Sequence, residues 1–160
     1  MDLVLSPEQR AFREEVRGFL DTALTPAMRR GAALTSGVFA EPDVYRAWQG
    51  ALEAKGWLTY FWPASAGGPG WGVVERWIFE TECARAGAPI LPGMGLKLVG
   101  PVLYTYGTPE QQQRFLPALR SGEHVWAQGF SEPGAGSDLA SLRTRAVRDG
   151  NEYVVTGQKI

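Results

Sequence analysis

The chain has 160 residues, the length of one ordinary domain, and its 44% hydrophobic and 21% charged residues suit a packed core and exclude a disordered chain. Its 16 Lys and Arg balance 17 Asp and Glu, which excludes a basic nucleic-acid surface, and a single Cys and a single His exclude a disulfide framework and a Cys- or His-rich metal site. Met1-Asp2-Leu3-Val4 lacks the basic-then-apolar pattern of a secretory signal and no run reaches the roughly 18 apolar residues of a membrane span, so a soluble, cytoplasmic protein is expected.

In chain order, the first 120 residues read as helices. Ser6-Pro7-Glu8-Gln9 is a capping box that opens a helix carrying Phe12, Val16, Phe19 and Leu20 on one stripe. Leu24 to Ala40 holds Pro, Gly, Thr and Ser without periodicity and reads as a loop. A second helix is predicted from Pro42 to Lys55, with Val44, Trp48 and Leu52 on one face and Gly56 as its stop. Trp57 to Trp71 is an aromatic loop in which Trp57, Trp62 and Trp71 are expected to pack between helices. A third helix is expected from Gly72 to Ala86, burying Val74, Trp77, Ile78 and Thr81. A fourth runs from Gly93 to Tyr106 and should kink at Pro101, which removes a hydrogen bond. Thr108-Pro109-Glu110-Gln111 repeats the capping box ahead of Phe115, Leu116 and Leu119, and Ser121-Gly122 ends that helix.

After Gly122 the period changes. His124 to Phe130 reads as a strand, Leu139 to Val147 as an alternating strand with Arg143 and Arg145 on one side, Asp149-Gly150 as a hairpin turn, and Glu152 to Thr156 as the returning strand. The expected class is mainly α: an all-helical domain over 1–121, then a β segment over 122–160.

The chemistry concentrates in Phe130-Ser131-Glu132-Pro133-Gly134-Ala135-Gly136-Ser137-Asp138. Gly134 and Gly136 permit backbone angles closed to other residues and let a ligand approach the main chain. Exposed N–H groups with the hydroxyls of Ser131 and Ser137 would suit a polar or phosphorylated ligand, while a tight structural turn is the plainer alternative. The run is neither a P-loop, since no lysine lies in it, nor a dinucleotide turn, since no helix follows it.

Ser131 to Asp138 resembles the signature of the acyl-CoA dehydrogenases, flavoenzymes that desaturate acyl-CoA thioesters between Cα and Cβ. Gly67-Gly68-Pro69-Gly70, the helix end Glu80 to Pro89, Gly107-Thr108-Pro109-Glu110-Gln111 with Phe115-Leu116-Pro117, and Asn151 to Lys159 are similar to the family's other segments, in its order. The resemblance implies an N-terminal helical domain, a β-barrel-like middle domain of which only the opening strands are present, and a C-terminal four-helix domain. It implies an FAD enzyme of fatty-acid β-oxidation, in which Gln128, Gly129, Phe130, Ser131, Gly136 and Ser137 contact the cofactor. Ser137, Leu96, Val99 and Leu103 would meet the acyl-CoA. Gln128-Gly129-Phe130 departs from the family's usual residues there, which bears on subtype. Electron-transfer flavoprotein is the implied electron acceptor, and a homo- or hetero-oligomer the implied assembly.

The family's catalytic base is a glutamate of the C-terminal domain that nothing in this chain matches, so a truncated, inactive piece of a longer enzyme is expected. A non-catalytic assembly subunit, and an acyl-CoA oxidase or flavin monooxygenase on the same scaffold, are the alternatives. Glu132 is therefore expected to be structural, Glu80 and Glu82 solvated or capping, His124 exposed or partner-bound, and Cys83 a small buried hydrophobe. Arg143 and Arg145 fit either the nucleotide's phosphates or a solvated face.

Overall fold

The computed structural model describes residues 4–37 and 39–160; Met1 to Leu3 of the N-terminal tetrapeptide and Val38 lie outside the described residues. The chain divides into two compact units, one ending at Trp126 and the other running from Ala127 to Ile160. The first comprises α1 (Pro7–Ala23), α2 (Pro26–Ala33), α3 (Pro42–Lys55), α4 (Val73–Arg85), a π-helical stretch Met94–Val99 that runs into α5 (Gly100–Tyr106), and α6 (Pro109–Ser121). The second holds β1 (Arg145–Asp149) and β2 (Glu152–Thr156).

Helix ends fall where the sequence supplies caps. Ser6 Oγ accepts from the Gln9 N–H at 3.2 Å while the Gln9 side chain accepts from the Ser6 N–H at 2.9 Å, and Thr108 with Gln111 builds the same box at α6. α3 and α6 stop at Gly56 and Gly122, both in the left-handed conformation (φ 75° and 79°) that a side chain would disfavour. The segment Leu24 to Ala40 is not all loop: Thr25 caps α2 through a bond from the Met28 N–H. That helix buries no residue, so it leaves no apolar stripe to read.

Val16 and Leu20 of α1, Trp48 and Leu52 of α3, Phe79 of α4, Leu96 and Leu119 form the core with Trp57, Leu58 and Trp62 of the connecting loop. Each such side chain contributes about 1.5–3 kcal/mol by leaving water. The aromatic loop packs as expected, Trp57 lying 5.0 Å from Phe19 and 5.3 Å from Trp71 between ring centroids. α4 corrects three expectations: Val74 (37%) and Trp77 (54%) are exposed and Thr81 is half-buried, while Phe79 and Glu82 take the inner face beside Ile78. Pro101 does not kink a continuous α-helix. The break precedes it as the π-helical stretch, where the Gly100 N–H reaches the Gly95 carbonyl.

Glu82, expected to be a solvated or capping group, is 6% exposed and joins α4 to α1. Its two oxygens accept from Arg17 Nε at 2.9 Å and Nη2 at 3.2 Å, and Arg85 lies at 3.2 Å. The hydrogen bonds from Arg17 hold its carboxyl below the ordinary value of 4.5, against the opposing effect of burial. A carboxyl lowered on folding stabilises fully above its unfolded pKa and loses that contribution as pH falls through the folded one. Glu82→Gln is therefore expected to flatten part of the stability loss below pH 4.5, read by urea midpoints at stepped pH. An unchanged acid limb would contradict the pairing.

In the second unit β1 and β2 pair antiparallel from Arg145 opposite Thr156 to Asp149 opposite Glu152, around Gly150 at φ 59° and Asn151. The strand expected over His124 to Phe130 does not form. Its first residues finish the helical unit instead: the His124 N–H donates to the Ala118 carbonyl, and the Trp126 ring lies 5.8 Å from Phe115. The strand expected from Leu139 starts only at Arg145, after a 3-10 turn at Leu139–Ser141, so Arg143 does not share a strand face with Arg145.

Candidate functional site

The signature loop is built on Glu132. The Glu132 N–H donates to the Ala135 carbonyl at 2.8 Å and the Ala135 N–H returns the bond at 3.0 Å, closing a turn over Pro133 and Gly134. The Glu132 carboxylate, in a residue only 8% exposed, accepts from the N–H of Arg143 at 2.8 Å and of Thr144 at 2.9 Å. These two amides lie just before β1, where no strand partner reaches them, so a side chain must supply the acceptor. Lys159 Nζ adds bonds to Glu132 Oε1 at 3.1 Å and to the Phe130 carbonyl at 2.8 Å. The Ile160 N–H donates to the Ser131 carbonyl at 3.0 Å.

The Thr144 hydroxyl beside it, then the Arg143 and Thr144 N–H groups, hold the Glu132 carboxyl down at about 2. With its oxygens accepting from the Arg143 and Thr144 amides and from Lys159, the Glu132 carboxylate takes the structural part expected of it.

The remainder of the loop faces solvent. Gly134, Gly136, Ser137 and Asp138 are exposed and Ser131 is half-buried. Among the described residues, the N–H groups of Gly136 and Ser137 and the hydroxyls of Ser131 and Ser137 have no hydrogen-bond partner within the chain. Neither Gly134 nor Gly136 adopts positive φ, which corrects the expectation of special backbone angles. Their value is open space, since a Cβ on either would meet nothing within 4 Å. Gln128, Gly129 and Phe130 lead into the turn as exposed, non-strand backbone.

The helical unit holds a separate cavity of about 390 Å³, walled by Trp48, Leu52, Phe61, Phe79, Ile90 and Leu96. Its polar members are Tyr60 and Glu80, the Tyr60 hydroxyl donating to the Glu80 carboxylate, with Cys83 and Lys97. Burial, then the Glu80 bond, raises the Tyr60 hydroxyl well above its ordinary value. Burial, with Glu80 and Glu82 nearby, pushes the Cys83 thiol up to about 12, which disfavours the thiolate. Of Leu96, Val99 and Leu103, only Leu96 lines this cavity; Val99 packs against the core. His124 is exposed beside the Phe115 ring. Sequence reasoning did not find the Tyr60–Glu80 pair, because no spacing links a loop tyrosine to a helix twenty residues on.

Residues 6–123 match the model of the acyl-CoA dehydrogenase N-terminal domain, more than half of the chain. The chain belongs to the acyl-CoA dehydrogenase family. Acyl-CoA dehydrogenase FadE26 of Mycobacterium tuberculosis is 41% identical over 160 residues, covering 100% of this chain and 40% of that relative. The crystal structure of the ChsE4-ChsE5 complex from Mycobacterium tuberculosis is similar with 42% identity and a TM-score of 0.79, over 100% of this chain and 39% of the matched one. The Tcur3481-Tcur3483 steroid ACAD is similar with 42% identity and a TM-score of 0.80, over 100% and 41%. The chain thus spans about two fifths of the length of these relatives. Its signature loop lies beyond the matched N-terminal domain, within the stretch aligned to FadE26. Among the described residues no helix is long and apolar enough to cross a membrane, and no group of His, Cys, Asp and Glu could hold a metal ion.

Proposed function

We propose that this chain is the N-terminal part of an FAD-dependent acyl-CoA dehydrogenase that introduces a Cα–Cβ double bond into an acyl-CoA thioester. Residues 1–121 would be its helical domain and 122–160 the opening of its middle β domain. One observation carries the cofactor assignment: a rigidly tied loop leaves the Gly136 and Ser137 amides and the Ser131 and Ser137 hydroxyls free, with open space over both glycines. That donor set fits a flavin edge and a pyrophosphate. FAD, when bound, supplies the hydride acceptor for Cβ.

The chain's own residues bind and orient. Gln128, Gly129, Phe130 and Ser131 would meet the ring, and Gly136 and Ser137 the pyrophosphate. Ser137 with Leu96, Val99 and Leu103 would face the acyl-CoA, and the base would come from a C-terminal glutamate outside this chain. Electron-transfer flavoprotein is the proposed acceptor. The similarity to the steroid ACAD supports a steroid acyl-CoA thioester as the first substrate to assay. A second reading, a non-catalytic partner in an unequal pair, is favoured by one observation: both similar structures are two-component assemblies by name.

The test is purification of the complete protein, alone and with a candidate partner chain. FAD absorbance with acyl-CoA-dependent reduction of an electron acceptor is expected, and a flavin-free, inactive preparation in both forms would overturn the proposal. In that protein Ser137→Ala should weaken FAD or acyl-CoA binding by about fivefold to tenfold, the loss of one hydrogen bond. Unchanged affinity for both ligands would remove Ser137 from the site.

A further inference from the structure

We propose that Glu132 is a positioning residue for the flavin loop, and that Lys159 locks it from the far end of the same unit. The inference rests on the flavin assignment above and adds the device that sets the loop's shape. Glu132 is the node of three stretches separated in sequence: Phe130 to Ala135, Arg143-Thr144, and Lys159-Ile160. Its backbone closes the turn that precedes Gly136 and Ser137, while its carboxylate fixes that turn to the entry of β1. Lys159 bridges the carboxylate to the Phe130 carbonyl, so the stretch proposed to meet the ring and the turn proposed to meet the pyrophosphate share one anchor. Both ends of this anchor carry charge, and charge-assisted bonds hold their geometry more firmly than neutral ones. Neither the Glu132 nor the Lys159 side chain needs to touch the ligand. It acts by keeping two groups of donors at a fixed separation.

Glu132→Gln retains the volume and one acceptor but removes the charge, and Lys159→Met removes the lock. Both would be made in the complete protein and read by FAD affinity, the visible flavin spectrum and the melting temperature of the flavin-free form. FAD affinity is expected to fall about tenfold for Glu132→Gln and about threefold for Lys159→Met. A shifted flavin absorption band should accompany both, and Lys159→Arg should restore most of the affinity. A lower melting temperature with unchanged FAD affinity and spectrum would show a merely structural node and overturn the proposal. Should Glu132→Gln not fold, Lys159→Met decides by the same comparison. Unmodified protein that binds no FAD would overturn the flavin assignment and the latch together, whereas normal FAD binding with indifferent variants would overturn the latch alone.

Discussion

Trp62→Ala is expected to remove about 3–5 kcal/mol of stability, the range for truncating a large buried aromatic. The residue is 0% exposed, its indole N–H donates to the Leu96 carbonyl at 2.9 Å, and its ring lies 5.3 Å from that of Tyr104. It also fills the space over Gly100, where an added Cβ would overlap the indole. One side chain therefore ties the aromatic loop to the π-helical stretch and to α5. Trp62→Phe separates the two contributions: it keeps much of the volume but strands a buried carbonyl, which costs about 1–3 kcal/mol. Urea unfolding followed by circular dichroism measures both, and a midpoint for Trp62→Ala within error of the parent would refute the central packing role.

Gly68→Ala should cost about 3 kcal/mol although it adds one methyl group. A Cβ at Gly68 would overlap the carbonyl of Trp62 and would sit 2.9 Å from the carbonyl oxygen of Thr59. Backbone cannot swing aside as a flexible side chain does, so the loop itself must move. Gly134→Ala is the matched control, because open space surrounds that position and its effect on stability should stay within about 0.5 kcal/mol. Thermal melts of the two variants side by side test the contrast. Equal losses would show that the close approach at Gly68 is relieved without cost.

These glycines also mark how far the sequence could be read. Gly67-Gly68-Pro69-Gly70 stands out as a family segment, but its reason, a loop folded onto its own carbonyls, lies in the tertiary fold. Elements fixed by neighbours in sequence were legible: the boxes at Ser6 and Thr108 and the stops at Gly56 and Gly122 act within one turn of helix. Features fixed by distant partners were not. Glu82 reads as a solvated or capping group because Arg17 lies 65 residues away, and Glu132 gives no hint of amides 11 and 12 residues on. Val125-Trp126 has β propensity, yet no strand forms there: Trp126 packs on Phe115 of α6 and Val125 stays exposed. The signature loop was recognisable as a motif, whereas the tie that shapes it came only from the fold.

A π-helix winds one more residue into each hydrogen-bonded loop than an α-helix does. Met94–Val99 therefore works as a phase shifter along the chain: everything after it is turned away from where uninterrupted α winding would place it. Gly100 meets the Trp62 ring because of that offset, and the Leu96 carbonyl reaches the indole N–H from within the same stretch. Loss of one residue between Gly93 and Gly100 would leave the composition of the helix nearly unchanged, return the turn to the α-helical count and remove the bulge that sets Gly100 and the Leu96 carbonyl against Trp62. In this segment residue count carries structural information as strictly as residue identity does.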